Sequence, residues 1–254
     1  MIICLTGMGR SGTSLMASYL HACGVSMGED LLGPLRGNPL GHFEDLDFLN
    51  FHKKLLMDNG SSLYSPRRHL SISEEARRSA VSLIQARNLQ HRVWGWKDPR
   101  TTLFLRFWAE IQPSIRFIFM YRDPMNVVAS LARARDRAVY INPFVAGKAW
   151  LRYNHEILGF CEKRSAVSTL INIDGFNADP ERGRRLLSEW LGFSLDCLYN
   201  QVYRPSELRK GKYRKRSIIE LLNYGLYRKE FSSLYAQLET CALIPGSLPG
   251  KCGR

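Results

Sequence analysis

The sequence predicts an α/β fold, a parallel sheet of about five strands flanked by helices in three layers. Two observations carry that expectation. Short runs of apolar, β-branched and aromatic residues alternate along the chain with longer segments of helical periodicity. The turns after several of these runs carry helix-start chemistry, so strands feed straight into helices, as they do at the carboxyl edge of an open parallel sheet.

In order along the chain, residues 2–6 (Ile-Ile-Cys-Leu-Thr) read as a buried strand, and an apolar helical pattern follows over 13–23. Helical patterns recur over 44–58 and 73–90, the latter opened by Ser71 and Glu74 at capping-box spacing. A second strand is expected over 92–96 (Arg-Val-Trp-Gly-Trp). Asp98-Pro99 then pairs a capping residue with proline at a first helical position, ahead of a helix over 101–111. The third strand, 115–121, runs into the same device at Asp123-Pro124 and a helix over 124–136. A helix over 144–163, a fourth strand over 167–173 and a helix over 180–191 complete a main domain set at 1–194. Residues 195–254 are expected as a helical extension, helical over 218–238 and ending in a Gly/Pro-rich tail, packed on the same domain.

With 254 residues, 45% hydrophobic and 23% charged, the chain suffices for one sizeable core. It has no apolar run of the about 18 residues that would span a bilayer, and its first residues lack a basic leader and cleavage site. These features predict a cytoplasmic protein with no integral membrane segment. The six cysteines form no Cys-x-x-Cys pair and no His/Cys group has zinc-ligand spacing, so reduced thiols and no metal are expected. The five tryptophans, Trp94, Trp96, Trp108, Trp150 and Trp190, are expected in the core. His52, His69, His91 and His155 show no partner pattern.

A formal charge of +13 calls for an anionic partner: nucleic acid, acidic lipid, an anionic substrate or a polyphosphorylated nucleotide. Much of it lies in residues 208–216 and in Arg182, Arg184 and Arg185, which equally suit a solvated helical face. Neither RNP-like aromatics nor a helix-turn-helix pattern is present, which argues against a nucleic-acid binder.

The strongest functional signal follows the first strand: Gly7-Met-Gly-Arg-Ser-Gly-Thr-Ser14, then an apolar helix. Glycines let the backbone turn tightly so that successive N–H groups face one concavity, and the helix start adds its positive end; phosphate is the natural occupant. A Walker A loop would place lysine where Thr13 stands, so an ordinary ATPase or GTPase is disfavoured, and a kinase or NTPase with a degenerate loop stays as the alternative. At the end of the third strand, Tyr121-Arg-Asp-Pro-Met-Asn-Val-Val-Ala-Ser130 sets Arg122 in a turn and Ser130 about two helical turns on, able to clamp one compact anion. Two further segments stand out, Trp96-Lys-Asp-Pro-Arg100 and Asn38-Pro-Leu-Gly-His-Phe-Glu-Asp45.

Together these motifs, in their order along the chain over about residues 1–191, resemble the sulfotransferase family, the small bacterial type related to the tyrosylprotein branch. The resemblance implies a P-loop nucleotide kinase-like fold and a metal-independent transfer of a sulfuryl group from 3'-phosphoadenylyl sulfate (PAPS) to a hydroxyl, releasing adenosine 3',5'-bisphosphate (PAP). Arg10, Ser11, Gly12, Thr13 and Ser14 would hold the 5'-phosphosulfate, and Arg122 and Ser130 the 3'-phosphate. Arg10 and Lys97 would stabilise the charge on the departing phosphate. For the general base the resemblance suggests Glu44, with His42 as rival; read from its position alone, Glu44 equally fits a first-turn carboxylate of the helix 44–58. Residues 58–70 and 134–147, with Arg137, Tyr140 and Phe144, are expected to shape the acceptor side, for a saccharide, a lipid or a small metabolite.

Overall fold

The computed structural model describes residues 1–33, 41–64, 67, 69–134, 136–203 and 217–246. The elements are β1 (Ile2–Thr6), α1 (Thr13–Ala22), α2 (Leu46–Asp58), α3 (Glu74–Gln90), β2 (Trp94–Lys97), a 3-10 helix (Pro99–Phe104), α4 (Leu105–Ile111), β3 (Arg116–Tyr121), α5 (Pro124–Ala134), α6 (Arg137–Ile141), α7 (Val145–Cys161), a 3-10 turn (Ser165–Val167), β4 (Ser168–Asn172), α8 (Ile173–Ala178), α9 (Pro180–Leu191), α10 (Tyr199–Val202) and α11 (Ile218–Cys241).

Among the described residues the sheet has four strands, all parallel, in the order β2-β1-β3-β4. It is one strand short of the expected count. Because side chains alternate across a strand, each strand feeds two cores. Ile2, Cys4, Trp94, Trp96, Phe117, Phe119 and Tyr121 face one side with residues of α2, α3, α4, α5, α7 and α11. Ile3, Leu5, Ile118, Met120 and Ile171 face the other, with α1, α8, α9 and α10. That is the three-layer architecture, and four of the five tryptophans lie fully buried in it. Trp190 is only half-buried, under the Arg116 guanidinium.

Three local expectations are corrected. The helix at 74 is capped by Ser73, whose hydroxyl accepts from Ala76 N, because the backbone of Ser71 is taken by the Asn59 side chain. The second strand runs on to Lys97, and the helix after it opens as a 3-10 segment. Glu44 is not in the first turn of α2: Asp45 is its N-cap, accepting from Asp47 N. On α9, Arg182 and Arg185 are exposed and Arg184 pairs with Glu181, a solvated face. The cluster 208–216 lies outside the described residues, as do residues 38–40 of the Asn38–Asp45 segment and the tail from 247 on.

With β2 on one side of β1 and β3 on the other, the connections that leave β1 and β3 run in opposite directions across the sheet. The carboxyl ends of these two strands flank a switch point, where open α/β sheets place ligands.

Candidate active site

Three chain segments converge at this edge. The first is the turn from β1 into α1. A Cβ on Gly7 would sit 2.1 Å from Met120 O, so only glycine lets the turn cross β3 this closely. Arg10 and Gly12 both take left-handed backbone (φ 74° and 85°), and Gly12 forms the N-cap of α1. Ser11 is fully buried and its Oγ has no hydrogen-bond partner among the described residues. A buried hydroxyl left unsatisfied costs roughly 1–3 kcal/mol, and a phosphate oxygen in the cradle would relieve it. Thr13 is also buried, and Ser14 half-exposed.

The second segment is the turn from β3 into α5. Ser130 Oγ accepts from Arg10 Nε at 2.9 Å, which brings the two sequence motifs into direct contact. Burial lowers the Arg10 guanidinium from its ordinary value, and the positive charges of Arg133 and Arg122 push the same way. Arg122 itself does not bond to Ser130. Its fork grips Asp174 on α8, Nε to Oδ2 at 2.9 Å and Nη2 to Oδ1 at 2.8 Å. Nothing in the sequence motifs singled out Asp174, although it stands two residues past the end of β4, at this same edge.

The third segment joins the end of β2 to the residues ahead of α2. Lys97, 2% exposed, donates from Nζ to Glu44 Oε1 and to His42 O, both at 2.8 Å. Burial lowers its pKa despite the opposing charge of Glu44. Arg100 Nη1 bridges two carboxylates, Asp98 Oδ1 at 2.8 Å and Glu44 Oε2 at 3.3 Å. His42 Nδ1 is 3.9 Å from Glu44 Oε1, its buried Nε2 has no partner among the described residues, and burial followed by Lys97 lowers its pKa. Between them Phe43 has φ 52°. Arg10 and Phe43 are the two non-glycine residues with positive φ among those described, and both sit at this edge, where strain of this kind concentrates when it is functional.

Beneath Arg100 lies a contact chain that sequence reasoning missed. Asp98 Oδ2 is 2.9 Å from His52 Nδ1, and Trp108 Nε1 donates to His52 Nε2 at 2.9 Å. That His52 would be buried was legible, since Phe48, Leu55 and Leu56 share its face of α2; its partners were not. On the outer side, Tyr64 donates to Asp136 at 3.0 Å and Tyr153 to Leu63 O at 3.0 Å, which ties the segment before α3 to the residue before α6 and to α7. Tyr140 and Arg137 are exposed there, whereas Phe144 packs partly into the core.

The model of a family described as the sulfotransferase family matches residues 3–196. Solved structures with the same fold include a sulfotransferase of Mycobacterium avium (15% identity, covering 97% of this chain and 77% of that one, TM-score 0.58). Others are a sulfotransferase of Alicyclobacillus acidocaldarius (14%, 94% and 94%, 0.57) and the sulfotransferase domain of the olefin synthase of Synechococcus PCC 7002 (16%, 94% and 92%, 0.54). No curated protein matches the chain in sequence. No helix among the described residues is long and apolar enough to cross a membrane.

Proposed function

Since the chain belongs to the sulfotransferase family, we propose that it transfers the sulfuryl group of PAPS to an acceptor hydroxyl and releases PAP. The observation that carries this reading is the meeting, at one sheet edge, of a phosphate-type turn with an orphaned Ser11 hydroxyl and a buried Lys97–Glu44 pair at 2.8 Å. Arg10, Ser11, Gly12, Thr13 and Ser14 would take the 5'-phosphosulfate on backbone N–H groups, hydroxyls and the α1 N-terminus. Arg122 and Ser130 would take the 3'-phosphate, Arg122 turning part of its fork from Asp174. Transfer of this kind is an in-line displacement in which the protein mainly positions groups and balances charge. Arg10 and Lys97 supply that balance at the departing phosphate, the part Mg2+ plays in kinases. Losing one such preorganised donor costs about 3–4 kcal/mol, or about 100-fold to 1000-fold in rate.

Glu44 would be the base that accepts the hydroxyl proton, exchanging one of its two cationic contacts for the acceptor. A second reading rests on His42, whose buried Nε2 has no partner among the described residues and whose pKa is lowered by burial and by Lys97. The acceptor would lie against the surface joined by the Tyr64–Asp136 contact, and a saccharide, lipid or small metabolite fits that surface alike.

Thermal melting with PAP, ADP, ATP and GTP, each with and without Mg2+, tests the donor class. A ligand at about 100 times its Kd adds about 2.7 kcal/mol, which raises the Tm of a chain this size by several degrees at about 2–4 °C per kcal/mol. Stabilisation by PAP without Mg2+ is the expected result; stabilisation by ATP or GTP only with Mg2+ would mark a kinase-like enzyme instead. For the base, Glu44→Ala should reduce turnover by about 100-fold or more with PAP affinity retained. If Glu44→Ala stays active and His42→Ala does not, the base is His42.

A further inference from the structure

The buried chain behind Arg100 is larger than a helix cap requires. Asp98 is completely buried, and each of its carboxylate oxygens is engaged: Oδ1 accepts from Arg100 N at 2.9 Å and Arg100 Nη1 at 2.8 Å, and Oδ2 faces His52 Nδ1. An indole N–H only donates, so His52 Nε2 is the acceptor for Trp108 and the ring proton sits on Nδ1, aimed at Asp98. Thr6 Oγ1 adds a bond to Asp98 O at 2.8 Å, fastening the group to the end of β1. Burial alone would raise the Asp98 carboxyl, but the bond from His52 and the charge of Arg100 outweigh it and hold it low. The same Arg100 nitrogen that meets Asp98 meets Glu44 Oε2. The place of the guanidinium, and with it the outer oxygen of Glu44, is therefore set from the Asp98 side.

We propose that His52 and Asp98 are positioning residues for the transfer reaction: the Trp108–His52–Asp98 chain holds Arg100, and through it orients the Glu44 carboxylate toward the acceptor. This rests on Glu44 serving the reaction as read above. The alternative is that the chain only fastens the 3-10 helix to α2 and α4, which predicts lost stability without a selective loss in the catalytic step.

Two substitutions at one position separate these. His52→Phe removes the N–H to Asp98 and keeps a ring in the core; His52→Asn keeps an N–H close to where Nδ1 stands. Each is assayed by the nitrogen-15 spectrum of arginine-labelled protein, for the slowly exchanging Arg100 side-chain N–H signals, and by PAP formation from PAPS. The expected result is loss of the Arg100 signals in His52→Phe and a fall of about 10-fold to 100-fold in kcat, with KM for PAPS unchanged within about twofold. His52→Asn restores both. Should His52→Phe fail to fold, His52→Leu, which removes the same N–H with a smaller apolar side chain, is read in the same way. Arg100 signals and kcat that survive the loss of the His52 N–H overturn the proposal, as does a folded His52→Asn as impaired as His52→Phe. A native chain that PAP does not stabilise counts against the sulfotransferase reading, and the arginine spectrum then still decides the positioning claim by itself.

Discussion

Arg122 spends its fork on Asp174, yet it is the residue proposed to meet a dianionic phosphate. Asp174 therefore pre-orients the guanidinium at the expense of a nearby negative charge. With the pair about a third exposed on each side, solvent screens that charge and the ligand can compete for the fork. Arg122→Ala should weaken PAP binding by about 10-fold to 100-fold, whereas Asp174→Asn should tighten it or leave it unchanged; calorimetric titration with PAP checks both. Marked weakening by Asp174→Asn would instead give Asp174 a direct role toward the nucleotide. Lys97 has a pH signature. In the role proposed for it Lys97 acts as a cation, and burial lowers its pKa from the ordinary lysine value of 10.5, so its charge is lost earlier as pH rises. The kcat for PAP formation should decline on the alkaline side with a midpoint below 10.5, a decline that Lys97→Arg shifts upward because arginine keeps its proton. A rate flat through that region would detach Lys97 from the rate-limiting step.

Among the elements, the junction of the donor turn with α1 is the most constrained. A Cβ on Gly12 would fall 2.4 Å from Ile173 Cγ1, and its φ of 85° already disfavours any other residue. Gly12→Ala should cost about 1–3 kcal/mol, seen as a drop of several degrees in melting, and should blunt stabilisation by PAP. Gly9→Ala, where nothing lies within 4 Å, should leave melting nearly unchanged. The elements legible in the sequence were those with strong local signals: the four strand cores and the long amphipathic helices, each found to within a few residues of its observed ends. α6, α8 and α10 were not anticipated, because four to six residues carry too little periodicity to register. The Ser71 cap failed for a tertiary reason, capture of its backbone by Asn59, which no local pattern contains. The same holds at the site. Glycines and a lysine at a strand end announce themselves, while a partner such as Asp174 or His52 is known only when the chain has folded.

At the scale of the whole molecule, one side of the sheet is covered by helices from both halves of the chain, and this makes residues beyond the family match part of the core. Tyr227, Phe231, Leu234 and Leu238 of α11 belong to the same buried cluster as Phe117, Val128 and Trp150, and the Phe231 ring meets Trp150 edge-on at 5.3 Å. Tyr121 donates to Glu239 at 2.7 Å, and Asn172 donates to Glu239 and Tyr235, both at 2.9 Å, so the ends of β3 and β4 lean on this helix. Past α11 the chain returns to the sheet, where Asn172 N donates to Ile244 O at 2.8 Å. Loss of a single buried phenylalanine costs about 3–5 kcal/mol against a total stability of about 5–15 kcal/mol. Phe231→Ala should then lower the melting temperature by about 6–20 °C. A chain ending at residue 196, where the family match stops, gives up these four buried apolar and aromatic side chains of α11 and the anchors of two strands, and it should show no cooperative melting transition by calorimetry. Were it to melt cooperatively and gain stability from PAP, residues 197–254 would be a separable appendage, and the core would have to close without α11. The two measurements bear on one question from opposite ends: a large effect of Phe231→Ala with a truncated chain that still folds cannot both hold if one core unites the two segments.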